Sequence, residues 1–183
     1  CKLNIPKLKK EILSRDLFHK KYNINKKYKI ITFFIGRFKK WHGKKTFTPN
    51  ICEIFMENYN DINNFLNKRG YQVILKLHRC DGEEIKNKYK LNNLIVIDNI
   101  DGYEATLYSI KAFTAYSTVL FEMYLYNLPI LDLGNGIYYP GWISQLSRGG
   151  FRKLKDMSPF QNLDYGRKLL YGNILNPDEK YNV

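Results

Sequence analysis

Lys111-Ala112-Phe113-Thr114-Ala115-Tyr116-Ser117-Thr118-Val119-Leu120-Phe121-Glu122-Met123-Tyr124-Leu125-Tyr126-Asn127-Leu128-Pro129-Ile130-Leu131-Asp132-Leu133-Gly134-Asn135-Gly136 is the stretch on which the fold turns. It reads as a short strand at Ala112 to Thr114, a turn, a helix, and a second strand at Ile130 to Leu133. Ser117 and Thr118 stand where the helix should begin, because their hydroxyls can accept bonds from free backbone N–H groups. Those N–H groups and the helix dipole also suit a phosphate. Glu122 follows about one turn later and projects from nearly the same side. Amides and hydroxyls with a carboxylate one turn on would suit a diphosphate joined to a ribose. The competing reading is a plain Ser cap with a dipole-favoured Glu. Val119, Leu120, Met123 and Leu125 predict a largely buried helix, in which a carboxylate needs a partner.

Working outward, the same alternation repeats toward the N-terminus. Residues 6 to 21 predict a helix, with Leu8, Ile12, Leu13, Leu17 and Phe18 on one face. Lys29 to Ile35 is β-branched, aromatic and nearly continuous, as a strand covered on both sides should be. Gly36-Arg37 ends it, and a basic loop with Trp41, His42 and Lys44 follows. Residues 50 to 69 predict one helix, started by Thr48-Pro49 and closed by Gly70. Tyr71 to Leu77 is the next strand, with His78 at its carboxyl end. A short polar helix ends near Lys90, and Leu94 to Ile97 is a third strand with an exit loop through Ile100. Tyr103 to Ser109 predicts a short helix leading into the opening stretch.

The order is β-α-β-α-β-α-β-α-β, which predicts an α/β fold: one Rossmann-like parallel sheet with helices on both faces. Ligands of such sheets sit beyond the carboxyl ends of the strands. Arg37 and His78 occupy that position and could meet an anionic group. After Gly136 the pattern fades into an aromatic loop at Tyr138 to Trp142. A last short helix is expected at Asp164 to Leu170, with a polar tail from Asn173.

Composition bounds the function. The 183 residues suit a single domain with a real core. Thirty Lys and Arg against 17 Asp and Glu give a net charge of +13, which points to an anionic partner. A Lys-, Asn- and Ile-rich background from an AT-biased genome is the competing source of that charge. No apolar run approaches the roughly 20 residues of a membrane span. Cys1, Cys52 and Cys80 have no metal-ligand spacing, and their odd number argues against a disulfide framework, so a reducing, cytoplasmic setting is expected. The chain lacks an initial Met and a signal-peptide apolar region, which suggests a piece of a longer protein.

These motifs together resemble the C-terminal, donor-binding half of glycosyltransferases of the two-Rossmann-domain (GT-B) architecture. Ile35-Gly36-Arg37-Phe38 with Lys44 is similar to the Gly-Arg…Lys segment after the first strand of that domain. Leu75-Lys76-Leu77-His78 resembles the strand ending in His-Pro of capsule, sialic-acid and teichoic-acid polymerases. Asn93 to Asp98 and Tyr103 to Tyr108 resemble the family's next strand and short helix. Tyr116-Ser117-Thr118 to Glu122 with Pro129 resembles its D-S-S/T-x-x-x-E…P run. The non-hydrolysing UDP-N-acetylglucosamine 2-epimerases share much of the pattern. The resemblance covers about residues 1 to 136. Arg79 replaces the usual Pro after the His, and Tyr116 replaces the acidic residue often found before the Ser.

The resemblance implies a nucleotide-sugar donor, UDP- or CMP/CDP-linked, and polysaccharide-type acceptor chemistry. Ser117 and Thr118 would hold the diphosphate, Glu122 the ribose, and the loop near Ile100 the base. Gly36, Arg37, Lys44 and His78 would line the site, with Arg37 and His78 as the catalytic groups that neutralise the leaving nucleotide. No further cofactor and no bound metal is implied. The partners implied are an N-terminal acceptor-binding domain outside these 183 residues and a glycan, lipid or protein acceptor. A sugar-nucleotide 2-epimerase of related fold is the alternative. A basic nucleic-acid-binding module is the second, permitted by charge and interleaved aromatics but carrying no recognised motif.

Overall fold

A computed structural model describes residues 12–35, 51–77, 85, 87–89, 91, 95–96, 102–114, 119, 123, 126, 128–133, 137–138 and 163–181. The first elements are α1 (Arg15–Lys21), β1 (Lys29–Ile35), α2 (Ile51–Glu57), α3 (Tyr59–Asn67) and β2 (Tyr71–Leu77). Then come β3 (Ile95–Val96), α4 (Gly102–Leu107), β4 (Ser109–Thr114), β5 (Leu131–Asp132), β6 (Ile137–Tyr138) and α5 (Leu163–Leu175). The strands form one sheet in the order β3-β2-β1-β4-β5-β6. β1 to β5 are parallel, and β6 runs antiparallel to β5. All five predicted strands therefore lie in one parallel sheet. β6 falls where an aromatic loop was expected.

The central strands bury both faces, which explains their nearly unbroken apolar runs. Odd-numbered β1 residues Ile31, Phe33 and Ile35 pack with α2, α3 and α5. Even-numbered Ile30 and Phe34 pack with Phe18 of α1, Ala105 of α4, and Val119 and Met123. On the first face Phe33 stacks on Phe55 at 3.8 Å between ring centres and on Phe113 at 4.8 Å. Phe113 in turn meets the edge of Tyr181 at 6.1 Å, so aromatic packing runs from α2 across two strands to the C-terminal segment.

Several boundaries differ from the expectations. α1 starts at Arg15, not in the region of residue 6; residues 12–14 are not helical, and residues 1–11 lie outside the described part. Ser14 caps the helix, accepting from the Leu17 N–H. The Leu13 N–H is bound by the Glu104 carboxylate at 2.9 Å and the Leu13 carbonyl by the Tyr108 hydroxyl. That backbone is tied to α4 and cannot join a helix of its own. Leu17 is consequently 54% exposed while Phe18 is buried.

The helix expected over 50 to 69 is two helices divided at Asn58, whose side-chain amide donates to the Ile54 carbonyl at 2.8 Å. Gly70 ends α3 as predicted, with a φ of +85° that disfavours side chains. The helix after β3 stops at Leu107, and β4 begins at Ser109 rather than Ala112. The Ser109 hydroxyl lies 2.6 Å from both the Ala105 carbonyl and the Thr32 hydroxyl, fixing the change from helix to strand. α5 runs on to Leu175, and Asn173, expected in a polar tail, is fully buried. Among the described residues no helix is long and apolar enough to cross a membrane.

Candidate functional site

The strand order dictates where a ligand should bind. β1 and β4 are neighbours, but the chain leaves them for opposite faces. After β1 it enters α2, which packs on the face of Phe33. After β4 it reaches Val119 and Met123, which pack on the face of Phe34. Two crossovers that part in this way open a crevice between the carboxyl ends of the strands.

Gly102, the first residue of α4, helps close one wall. A Cβ there would sit 2.8 Å from Val119 Cγ2 and 3.2 Å from Phe34 Cε1, so glycine permits that approach. At the same edge a shallow apolar depression, open to solvent, is lined by Phe34 and Thr114 together with Ile35, Ile51, Phe55 and Leu133. α5 contacts the end of β5 so closely that a Cβ on Gly166 would stand 2.6 Å from the Leu133 carbonyl oxygen.

The described polar groups at this edge include Lys76, which pairs in register with Phe34 on β1, and Thr114 and Asp132. Thr114 ends β4 and is 2% exposed. Its carbonyl accepts from the Leu133 N–H at 2.8 Å, while its hydroxyl has no hydrogen-bond partner. Asp132 is its register partner on β5 and is 3% exposed.

Gly36, Arg37, Lys44, His78, Ile100, Ser117, Thr118 and Glu122 all lie outside the described residues. What the structure describes is the scaffold on either side of them in sequence. Gly36 and Arg37 follow Ile35, the last residue of β1, and His78 follows Leu77, the last of β2. Ser117 comes three positions after the end of β4, and Glu122 falls between the buried Val119 and Met123.

Sequence reasoning missed Thr114 and Asp132 as polar groups of the carboxyl edge. Both had been read only as parts of strands. An Asp and a Thr as the last polar residues of two otherwise apolar strands was the available signal.

It also missed a polar cluster at the other end of the sheet. Lys111 is 2% exposed, and its ammonium donates to the Asn173 carbonyl (3.3 Å), the Asn173 Oδ1 (3.0 Å) and the Asn176 carbonyl (3.1 Å). Burial pushes its pKa below the ordinary lysine value, but the three acceptors at the end of α5 suit a cation. Asp178 accepts from the Lys29 ammonium at 2.8 and 2.9 Å and from the Tyr71 hydroxyl at 2.7 Å. The Tyr181 hydroxyl accepts from the Ala112 N–H at 2.6 Å and faces the Ala112 and Pro129 carbonyls at 3.1 and 3.4 Å. The hydroxyl thus stands between the Ala112 N–H of β4 and the Pro129 carbonyl, just ahead of the first β4–β5 pair at Phe113 and Leu131.

No protein-family model matches the chain, and no curated protein matches it. Two solved structures of the wall teichoic acid polymerase TagF are similar to it, one of them soaked with CDPG. Both are 18% identical, with TM-scores of 0.46 and 0.47. The matches cover 91% and 89% of this chain and 42% and 41% of the polymerase chains. The chain thus spans less than half the length of the proteins it matches. The fold is established independently of that likeness, by the strand order and pairing.

Proposed function

We propose that this chain is the donor-binding domain of a glycosyltransferase and takes a nucleotide sugar at the carboxyl edge of its sheet. The observation that carries the proposal is the crossover geometry at β1 and β4. The residues singled out from the sequence follow the strands that meet there: Gly36 and Arg37 after β1, Ser117 and Thr118 after β4, and His78 after β2. Motifs far apart in the sequence thereby follow strands that end at one edge of one sheet.

In this reading the Ser117 and Thr118 hydroxyls and neighbouring amides hold the diphosphate. Glu122 accepts hydrogen bonds from the ribose, and the base lies by the loop near Ile100. During transfer the bond between the anomeric carbon and the donor phosphate oxygen breaks. Its electron pair leaves on that oxygen, where Arg37 and His78 offset the growing negative charge. The acceptor hydroxyl forms the new bond and gives up its proton to a base on a further domain, which also supplies the acceptor surface. No metal is required in this scheme, because fixed positive groups do the neutralising. A cytoplasmic setting, where nucleotide sugars are made, belongs to the same proposal.

The test is a thermal-shift panel of UDP, CDP, GDP, CMP and their sugar conjugates. A ligand present at 100 times its dissociation constant should stabilise the fold by about 2.7 kcal/mol. Arg37→Ala should weaken a nucleoside diphosphate far more than a nucleoside. No shift with any member of the panel rejects the proposal. Binding to single-stranded nucleic acid that collapses with modest salt would put the basic-module reading in its place.

A further inference from the structure

His19 of α1 is 2% exposed, and neither of its ring nitrogens has a hydrogen-bond partner. The proposed reaction makes no use of it. A neutral imidazole carries one donor and one acceptor, and a charged one carries two donors. Protonation here would leave two buried N–H groups and a positive charge without compensation, which costs more than burying the neutral ring.

The local chain holds the ring in that place. α1 closes after Tyr22, with Asn23 in the left-handed region at a φ of 52°. The Ile24 N–H then returns to the His19 carbonyl at 2.8 Å, and the Asn23 N–H to the Lys20 carbonyl at 3.3 Å. This Schellman turn brings Ile24 into the same core as Phe18. Arg15 and Asp16 on α1 and Lys26 beyond the turn are the charged groups that act on the ring, and Asp16 pairs with Lys26 at 2.8 Å. Glu104 and Tyr108, the titratable groups of α4 beside this segment, are engaged with the Leu13 backbone. Burial, and after it Arg15, holds the His19 pKa below the ordinary histidine value; the Ile24 backbone and Asp16 favour the charged form without reversing the shift.

α1 covers one face of the sheet. Phe18 belongs to the same core as Phe34, Val119 and Met123 at the crevice wall, and its ring lies 5.2 Å from that of Tyr108 on α4. We propose that His19 is an acid-sensitive latch: the neutral ring lets α1 dock on the sheet, and protonation releases the helix and uncovers the Phe34 side of the crevice. The direction follows from linkage. A histidine that is harder to protonate when docked costs nothing above its free value of about 6.5, and it opposes docking as pH falls from there to the docked value. Each pH unit in that window lowers the docking equilibrium constant by up to about tenfold. Asp16, lowered chiefly by its hydrogen bond from Lys26, titrates at more acid pH than this window.

Residue-resolved hydrogen exchange from about pH 8 to about pH 5, corrected for the intrinsic effect of pH on exchange, tests the latch. In the wild type, protection of the Phe18, Tyr22 and Ile24 amides, all bonded within α1 or its closing turn, should fall by up to about tenfold per pH unit below the free histidine value. Amides of β1 and β2 should keep theirs. His19→Phe retains a buried ring that cannot titrate, so its α1 protection should not change over this range. His42 and His78 remain in that variant, which separates their titration from that of His19. Should the Phe variant fail to fold, the wild-type ring is titrated by NMR, and it should protonate below the free value, together with the loss of α1 protection.

The same pH dependence in wild type and Phe variant overturns the proposal. So does a ring that protonates at or above the free value while α1 stays protected. Acid loss of protection shared equally by α1, β1 and β2 overturns it as well, because the whole fold then opens and α1 is no separate latch.

Discussion

At the amino edge of the sheet Lys29, Tyr71, Lys111 and Ala112 all reach the C-terminal segment, and each meets a partner there between 2.6 and 3.3 Å away. At the carboxyl edge a buried hydroxyl goes without one, and the described surface beside Ile35 and Leu133 is an apolar depression. The same strands supply both ends. One end uses its polar groups to hold the chain together, and the other leaves the Thr114 hydroxyl unbonded. Substitutions at the amino edge should therefore alter stability and leave ligand affinity alone.

The largest effect is expected at Lys111. Lys111→Met preserves length and removes the ammonium, so three acceptors at the end of α5 lose their donor inside the protein. The cost should be about 3 kcal/mol, in the range of buried hydrogen bonds to a charged group. Burial already disfavours the lysine's charge, which keeps the figure from being larger. Urea unfolding measures it, with nucleotide titration alongside. Destabilisation under 1 kcal/mol, or a large loss of nucleotide affinity, would erase the division between the edges.

Tyr181→Phe should come next. The ring can still pack on Phe113, but the Ala112 N–H loses its acceptor. About 1–2 kcal/mol should be lost, with no change in ligand binding. If the variant unfolds at the same urea concentration as the wild type, the hydroxyl is not mending the sheet beside Pro129.

The sequence revealed one edge better than the other, for a physical reason. β1 and β2 announce themselves because strands covered on both faces carry long, nearly continuous apolar runs. The residues following them can then be placed at the carboxyl edge by counting. β4 was half hidden, since Lys111 interrupts its apolar run and finds its partners 62 and 65 positions away. The end of α5 was hidden likewise: Asn173 reads as the start of a polar tail until Lys111 reaches it. Asp178 meets residues 149 and 107 positions distant, and no local pattern signals such contacts. Thr114 and Asp132 become neighbours only once β4 and β5 are in register. Periodicity reports which face a residue takes, whereas pairing between distant side chains requires the fold.

The smallest effect is expected at Asp178, and pH can separate it from background. The carboxylate is exposed, so its bonds to Lys29 and Tyr71 are weakened by solvent, and Asp178→Asn should cost less than either substitution above. The hydrogen bonds from Lys29, then from Tyr71, hold its pKa below the ordinary aspartate value. A depressed carboxyl contributes stability above its unfolded-state pKa, near 3.9, and the contribution disappears as pH falls through the folded value. Lys29 is shifted the other way, upward, chiefly by the hydrogen bond to Asp178. Its contribution is complete below the unfolded lysine pKa and disappears as pH rises through the raised folded value. The stability gap between wild type and Asp178→Asn should therefore be widest near neutrality and narrow at both extremes. It should also shrink in 1 M salt, where screening acts within about 3 Å. Urea midpoints at acid, neutral and alkaline pH supply the curve. A gap that persists undiminished at acid pH would mean that Asp178 acts through shape or helix-end geometry and that its charge is incidental.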